Sequence, residues 1–217
     1  MAEERRNYFT GASQKQWNLN RLNKLYSILG EDWFKDKRVL EVATGHGDNG
    51  KDLVLKGASV LFTDAREVFV AFLKEEGFEA RVLDIDGSWT LDEKFDLIVY
   101  WGVLYHLNNW KESLKSALDH TDLLCIESIV SFLDGPEYEE KRNEEGYDQA
   151  FSGTGTLMAV ENFENYITSL GAAFVRYDDA NLNTDRCANY TWVPGERDVN
   201  TNWRRRFWMV RKHDYNS

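Results

Sequence analysis

The chain has 217 residues, 42% of them hydrophobic and 29% charged, which suits one folded domain with a sizeable core and argues against global disorder. Its 37 acidic and 26 basic residues leave a net charge of −11, which argues against holding nucleic acid by neutralising many phosphates across a broad surface. No apolar run approaches the roughly 18 to 20 residues of a membrane span, and the first residues lack the apolar core of a signal peptide, so the reading is of a soluble cytoplasmic protein.

Residues 13–29 place Trp17, Leu22, Leu25, Tyr26, Ile28 and Leu29 near one face at helical spacing, with Gly30 as the stop. RVLEVAT is a short apolar run ending at the glycine-rich GHGDNG, and KDLVLKG reads as a brief helix closed by Gly57. This order of strand, turn and helix recurs in SVLFTD with AREVFVAFLKEEG, in FDLIVYW with VLYHLNNWKESLKSALDH, and with variations in EARVLDI and DLLCIES. Short apolar strands alternating with helices predict an α/β fold, a parallel sheet covered by helices on its faces. The end differs: helix ENFENYITSLG leads to AAFVRYDD, and a polar and aromatic loop leads to RRFWMVRK, so a final antiparallel pair is expected. Only two prolines and no Ser/Gly-rich linker interrupt the chain, so 1–217 is read as one domain. It comprises a helical cap over 1–36, a core over 37–128, and loops with the last strand pair over 129–217.

Ligands of open parallel sheets sit beyond the carboxyl ends of the strands, which directs attention to Glu41 through Gly47, Asp64, Asp84 through Asp86, and Trp101 through His106. Gly45 and Gly47 allow a sharp turn and close approach of a ligand to backbone. Asp64 closes the second strand 23 residues after Glu41, where an acid can accept both hydroxyls of a ribose. A nicotinamide dinucleotide would use the same acid. The GxGxxG spacing fits poorly, however: with Gly45 as its second glycine, Ala43 stands first and Asp48 third, and Asp48 would oppose a pyrophosphate at the helix start.

These segments together resemble the class I S-adenosylmethionine-dependent methyltransferases of small-molecule type. VLEVATGHG is similar to that family's first motif, LFTD to its ribose-binding acid, VLDID to the segment that meets the adenine, and FDLIVYWGVLYHLNN to its fourth strand and following turn. The resemblance implies a Rossmann-like three-layer sandwich, mostly parallel and seven-stranded, with a terminal antiparallel strand, and S-adenosyl-L-methionine as cofactor. It further implies Gly45 and Gly47 near the methionine part, Glu41 ordering the loop or reaching the ammonium group, Asp64 on the ribose, Asp84 and the Ile85 backbone at the adenine edge, and Trp101 with Gly102 on the methionine side. Ala43 stands where the family usually has a glycine, and binding is expected to survive provided its φ is negative.

The methyl group of such a cofactor is already activated, so alignment and exclusion of water supply much of the acceleration. Where the acceptor must lose a proton, His106 is the candidate base, since an unperturbed imidazole titrates near about 6.5; the alternative is a histidine bonded for structure. His46, His106, His120 and His213 show no metal-ligand spacing, and Cys125 and Cys187 show neither that nor a disulfide framework.

The acceptor region is expected after residue 128. GYDQAFSGTGT offers Tyr147 and Phe151, NLNTDRCANYTWVPG offers Tyr190 and Trp192, and Tyr8 with Phe9 precedes the first helix. Seven acids in 134–148 read as a solvated helical face. WRRRFWMVRK interleaves basic and aromatic residues as single-stranded nucleic-acid sites do, but strand alternation predicts one buried face and one face paired with the acidic middle. The expectation is therefore methyl transfer to oxygen or nitrogen of a small molecule, with nucleic acid and membrane disfavoured as partners and the oligomeric state left open. Methylation of RNA or protein, or cofactor binding without transfer, are the alternatives.

Overall fold

The computed structural model describes residues 12–131, 135–146, 149–184, 188–193 and 203–212. The N-terminal helix α1 spans Ala12–Leu29. It stops at Gly30, whose φ of 85° only glycine adopts without strain and whose amide still bonds to the Tyr26 carbonyl. Five strands follow in the predicted order: β1 (Arg38–Val42), β2 (Ser59–Asp64), β3 (Ala80–Val82), β4 (Leu97–Trp101) and β5 (Leu123–Ser131). Helices α2 (Asp48–Leu55), α3 (Glu67–Glu75) and α4 (Trp110–His120) connect them. The chain continues through β6 (Glu139–Asn143), β7 (Thr154–Met158), α5 (Val160–Ser169), β8 (Ala172–Arg176) and β9 (Trp203–Lys212).

Seven strands form one sheet in the order β3-β2-β1-β4-β5-β9-β8. The first five run parallel, and β9 is antiparallel to both neighbours. The last strand is therefore inserted between β5 and β8 rather than added at the edge. Its nine-residue register with β5, from Leu123–Arg211 to Ser131–Trp203, accounts for the unusual length of both strands. Every residue of β4 is buried, as a strand covered on both faces requires. One face packs Leu114, Ala117 and Leu118 of α4 and Phe163 and Ile167 of α5; the other packs Leu22 and Leu25 of α1, Leu53 of α2 and Val70 and Leu73 of α3. The strand order reverses between β1 and β4, which opens a crevice at their carboxyl ends.

Two expectations change. The acidic stretch is not a helical face: 139–143 forms β6, which pairs with β7 in a separate two-stranded sheet. Its charges alternate between exposed and half-buried positions. The arginines of β9 do not divide into a buried and a surface face either. Arg205 and Arg206 are 8% and 1% exposed, because a strand inserted into the sheet interior is covered on both sides.

Candidate active site

The turn after β1 is drawn together by two carboxylates. Glu41, buried on β1, accepts from the Thr44 hydroxyl at 2.6 Å and from the Gly50 amide at 3.1 Å, which ties the loop to the first turn of α2. Burial pushes its pKa up to about 7, against the opposing pull of Thr44, Asn49, Gly50 and Arg21. Of the two sequence expectations for Glu41, the bonds it makes are those of a loop organiser. Asp64, at the end of β2, accepts the Gly45 amide at 3.0 Å and the Arg66 amide at 2.9 Å. Gly50, the third glycine of GHGDNG, was not singled out from sequence; a Cβ there would lie 2.5 Å from the Glu41 carboxylate and 2.4 Å from the Phe62 ring.

Ala43 departs from its expectation. Its φ is +49°, not negative, so an alanine occupies the left-handed region that the turn imposes on this position. Gly45 and Gly47 follow with φ of 55° and 76°. Among the described residues a Cβ built on Gly45 would meet no atom within 4 Å, so this part of the loop presents bare backbone to open space there.

After β3, Asp84 is exposed and accepts the Asp86 amide, while Ile85 is buried and its carbonyl accepts from Gly87. Asp86 is a joint: it accepts the Asn109 amide at 2.7 Å and the Ser152 hydroxyl at 3.2 Å, linking this turn to the start of α4 and to the β6–β7 hairpin. At the end of β4, Trp101 is buried with its indole NH toward Cys125 Sγ, and Gly102 bonds through its amide to the Glu127 carbonyl. A 3₁₀ turn, Leu104–His106, follows. There His106 Nδ1 contacts Glu144 Oε2, and the Tyr105 and His106 rings lie 4.0 Å apart.

Beside Gly102 lies a buried ionic group that sequence reasoning did not find. Glu127, fully buried on β5, receives Arg205 Nη1 at 2.9 Å, Arg21 Nη1 at 3.3 Å and the Tyr190 hydroxyl at 3.2 Å. The Trp17 ring lies under both guanidinium groups, 3.8 Å from Arg21 and 4.2 Å from Arg205, and its NH donates to Tyr190. Burial lowers the pKa of Arg21; burial also acts against Arg205, but the charge of Glu127 with Tyr105 and Tyr190 outweighs it and raises that pKa. Both arginines stay charged, so the group carries a net positive charge and fastens α1 to the sheet.

The predicted acceptor residues divide. Tyr8 and Tyr147 lie outside the described residues. Phe151 is exposed and lines an open cavity of about 330 Å³ with Arg66, Glu144, Glu145, Gly146, Ala150 and Gly153. The cavity borders Arg66, two residues beyond Asp64, rather than the glycine loop itself. Tyr190 and Trp192 are buried instead, Tyr190 on Glu127 and Trp192 stacked 3.7 Å from the Arg206 guanidinium. Among the described residues, no group of three or more His, Cys, Asp or Glu is placed to hold a metal ion, and no helix is long and apolar enough to cross a membrane.

A family model described as a methyltransferase domain matches residues 14–171. The chain belongs to the S-adenosylmethionine-dependent methyltransferases. Solved structures share the methyltransferase's fold. The N-terminal domain of EvdMO1, determined in the presence of S-adenosylhomocysteine and D-fucose, is 17% identical with a TM-score of 0.65, over 91% of this chain and 83% of that one. An S-adenosylmethionine-dependent methyltransferase from Mesorhizobium loti is 16% identical with a TM-score of 0.63, over 88% and 96%. Magnesium protoporphyrin IX methyltransferase from Synechocystis, with bound S-adenosylhomocysteine, is 11% identical with a TM-score of 0.58, over 94% and 89%. No curated protein matches the methyltransferase by sequence. S-adenosyl-L-methionine is the cofactor of that family, and the residues present fit that group: among the described residues open space stands over the Gly45 backbone, and the Asp64 carboxylate keeps lone pairs for a ribose beyond the two amides it accepts.

Proposed function

We propose that this enzyme methylates an oxygen or nitrogen of a small molecule in the crevice at the carboxyl ends of β1 and β4. The observation that carries this reading is the cover over that edge. The β6–β7 hairpin is tied down through Asp86, Asn108 and Arg66, and beside Phe151 the described residues line an open cavity of about 330 Å³. That volume falls within the range of pockets that take small ligands. The burial of Arg205 and Arg206 supports this reading over a nucleic-acid acceptor, since two basic side chains of the interleaved stretch are turned into the protein. Two structural neighbours, the EvdMO1 domain determined in the presence of D-fucose and a coclaurine N-methyltransferase bound to N-methylheliamine, lend support at the level of fold.

Within this reading Gly45 and Gly47 admit the methionine part of the cofactor, with Ala43 and Glu41 shaping their turn. Asp64 holds the ribose, Asp84 and the Ile85 backbone meet the adenine edge, and Trp101 with Gly102 bounds the methionine side. Bound S-adenosylmethionine supplies a methyl group on a positively charged sulfur, so the protein's part is alignment and exclusion of water. Phe151 contributes to the acceptor wall, together with Tyr8 and Tyr147 from outside the described residues. His106 takes the proton that a hydroxyl or ammonium acceptor releases. Calorimetry tests the cofactor seat: binding of S-adenosylmethionine and S-adenosylhomocysteine, none of NAD, and at least about tenfold weaker binding in Asp64→Ala, the loss of hydrogen bonds to a charged group. Unchanged affinity in Asp64→Ala would overturn the assignment.

A further inference from the structure

Resting on that reading of His106, we propose that Glu144 is its positioning residue: a carboxylate delivered by the β6–β7 hairpin that accepts the Nδ1 proton and so leaves Nε2 as the nitrogen that can take a proton from the acceptor. Glu144 directly follows β6, 38 residues from His106 in sequence, and its Oε2 meets His106 Nδ1. The same oxygen accepts the Ala150 amide at 3.2 Å, and the Glu144 amide donates to the Gly153 carbonyl at 2.8 Å, so the carboxylate is held from both sides of the hairpin connection. Both side chains are mostly buried, at 15% and 13% exposed.

The hairpin is shaped to reach this contact. At Gly155 on β7, a Cβ would lie 2.3 Å from the Tyr105 carbonyl and 3.1 Å from the Glu144 carboxyl carbon, so only glycine lets β7 press against the 3₁₀ turn that carries His106. Lys141 extends the attachment by donating to the Asn108 carbonyl at 2.5 Å, and the Asn108 amide donates to Thr154 at 2.6 Å. A carboxylate with an amide already on the oxygen facing the ring is an acceptor, so the proton between the two groups belongs to the imidazole. With the cofactor bound, the acceptor atom would bond to the methyl carbon as the methyl–sulfur bond breaks with its electron pair left on sulfur, the acceptor's proton would pass to His106 Nε2, and the resulting imidazolium would stand opposite the Glu144 charge.

The tautomer is a direct readout and requires no acceptor. In a nitrogen-15 long-range spectrum of the full chain with S-adenosylhomocysteine at pH 8, with His106 assigned through His106→Gln, we expect neutral His106 to carry its proton on Nδ1. In Glu144→Ala it is expected to change to the Nε2-protonated form, while Glu144→Gln, whose amide oxygen can still accept, retains the Nδ1 form. Transfer of labelled methyl into a metabolite extract by Glu144→Ala is expected to fall at least about tenfold with S-adenosylhomocysteine affinity unchanged. Nε2 protonation in the wild type would overturn the proposal even if Glu144→Ala failed to fold, as would an unaltered tautomer or transfer rate in a folded Glu144→Ala. The expected tautomer without any transfer to metabolites would instead count against the small-molecule reading and leave the pairing standing.

Discussion

Ala43 shows how a single dihedral decides what a residue costs. Left-handed backbone is disfavoured for an L-residue by about 1 to 2 kcal/mol, and replacing alanine by glycine adds unfolded-chain entropy that offsets part of the gain. Ala43→Gly is therefore expected to stabilise the enzyme by about 0.5 to 1 kcal/mol, read as a higher urea midpoint at unchanged slope; an unchanged or lower midpoint would mean the loop relaxes around alanine. Glu41 makes a second test by pH. An unfolded chain releases this proton near 4.5, the folded protein holds it to about 7, and its contribution to stability therefore falls as pH rises through that interval. Stability of the wild type relative to Glu41→Gln should decline across the same window by up to roughly 1.4 kcal/mol per pH unit and be level on either side, measured by urea unfolding; parallel curves would contradict the assignment. The two residues differ in legibility. For Glu41 the family resemblance offered two roles, ordering the loop or reaching an ammonium group, and the bonds it makes lie within nine positions in sequence, whereas the φ of Ala43 is imposed by the turn and leaves no mark in residue type.

Among elements, the strands and glycine turns of the first half were legible because apolar runs and their punctuation are local. Strand β6 was not, because EEKRN has no apolar face; its form comes from five paired positions on β7, so the pairing partner rather than local preference determines it. The insertion of β9 between β5 and β8 was hidden for a related reason. Alternation tells which side chains share a face but not whether both faces are covered, and the covering here includes Glu127, Tyr190 and Trp192 from distant segments. The hairpin's docking gives this scale its prediction. Gly155→Ala brings a methyl group to 2.3 Å from the Tyr105 carbonyl, which backbone cannot easily yield, and is expected to cost roughly 1 to 3 kcal/mol and to raise hydrogen exchange at β7 above that of β1 and β4. Equal protection in mutant and wild type would show that the hairpin does not rest on this contact.

Across the whole molecule, the net charge of −11 conceals three different uses of acid. Glu41 and Asp64 organise the turn beside the crevice, Glu127 holds two arginines inside the protein, and the acids of 134–148 include Glu144, which pairs with His106 on the cover of the site. The fold and the turn residues were legible because motif and fold lie close together along the chain; the site's ionic contacts were not, since Arg21, Glu127 and Arg205 are 106 and 78 residues apart and only the sheet brings them together. The most direct measurement of the acceptor's class supplies methyl-labelled S-adenosylmethionine to the enzyme with a cell extract separated into metabolites, RNA and protein. Label is expected in the metabolite fraction, and label confined to RNA or protein, or found in none of the three, would contradict a small-molecule acceptor.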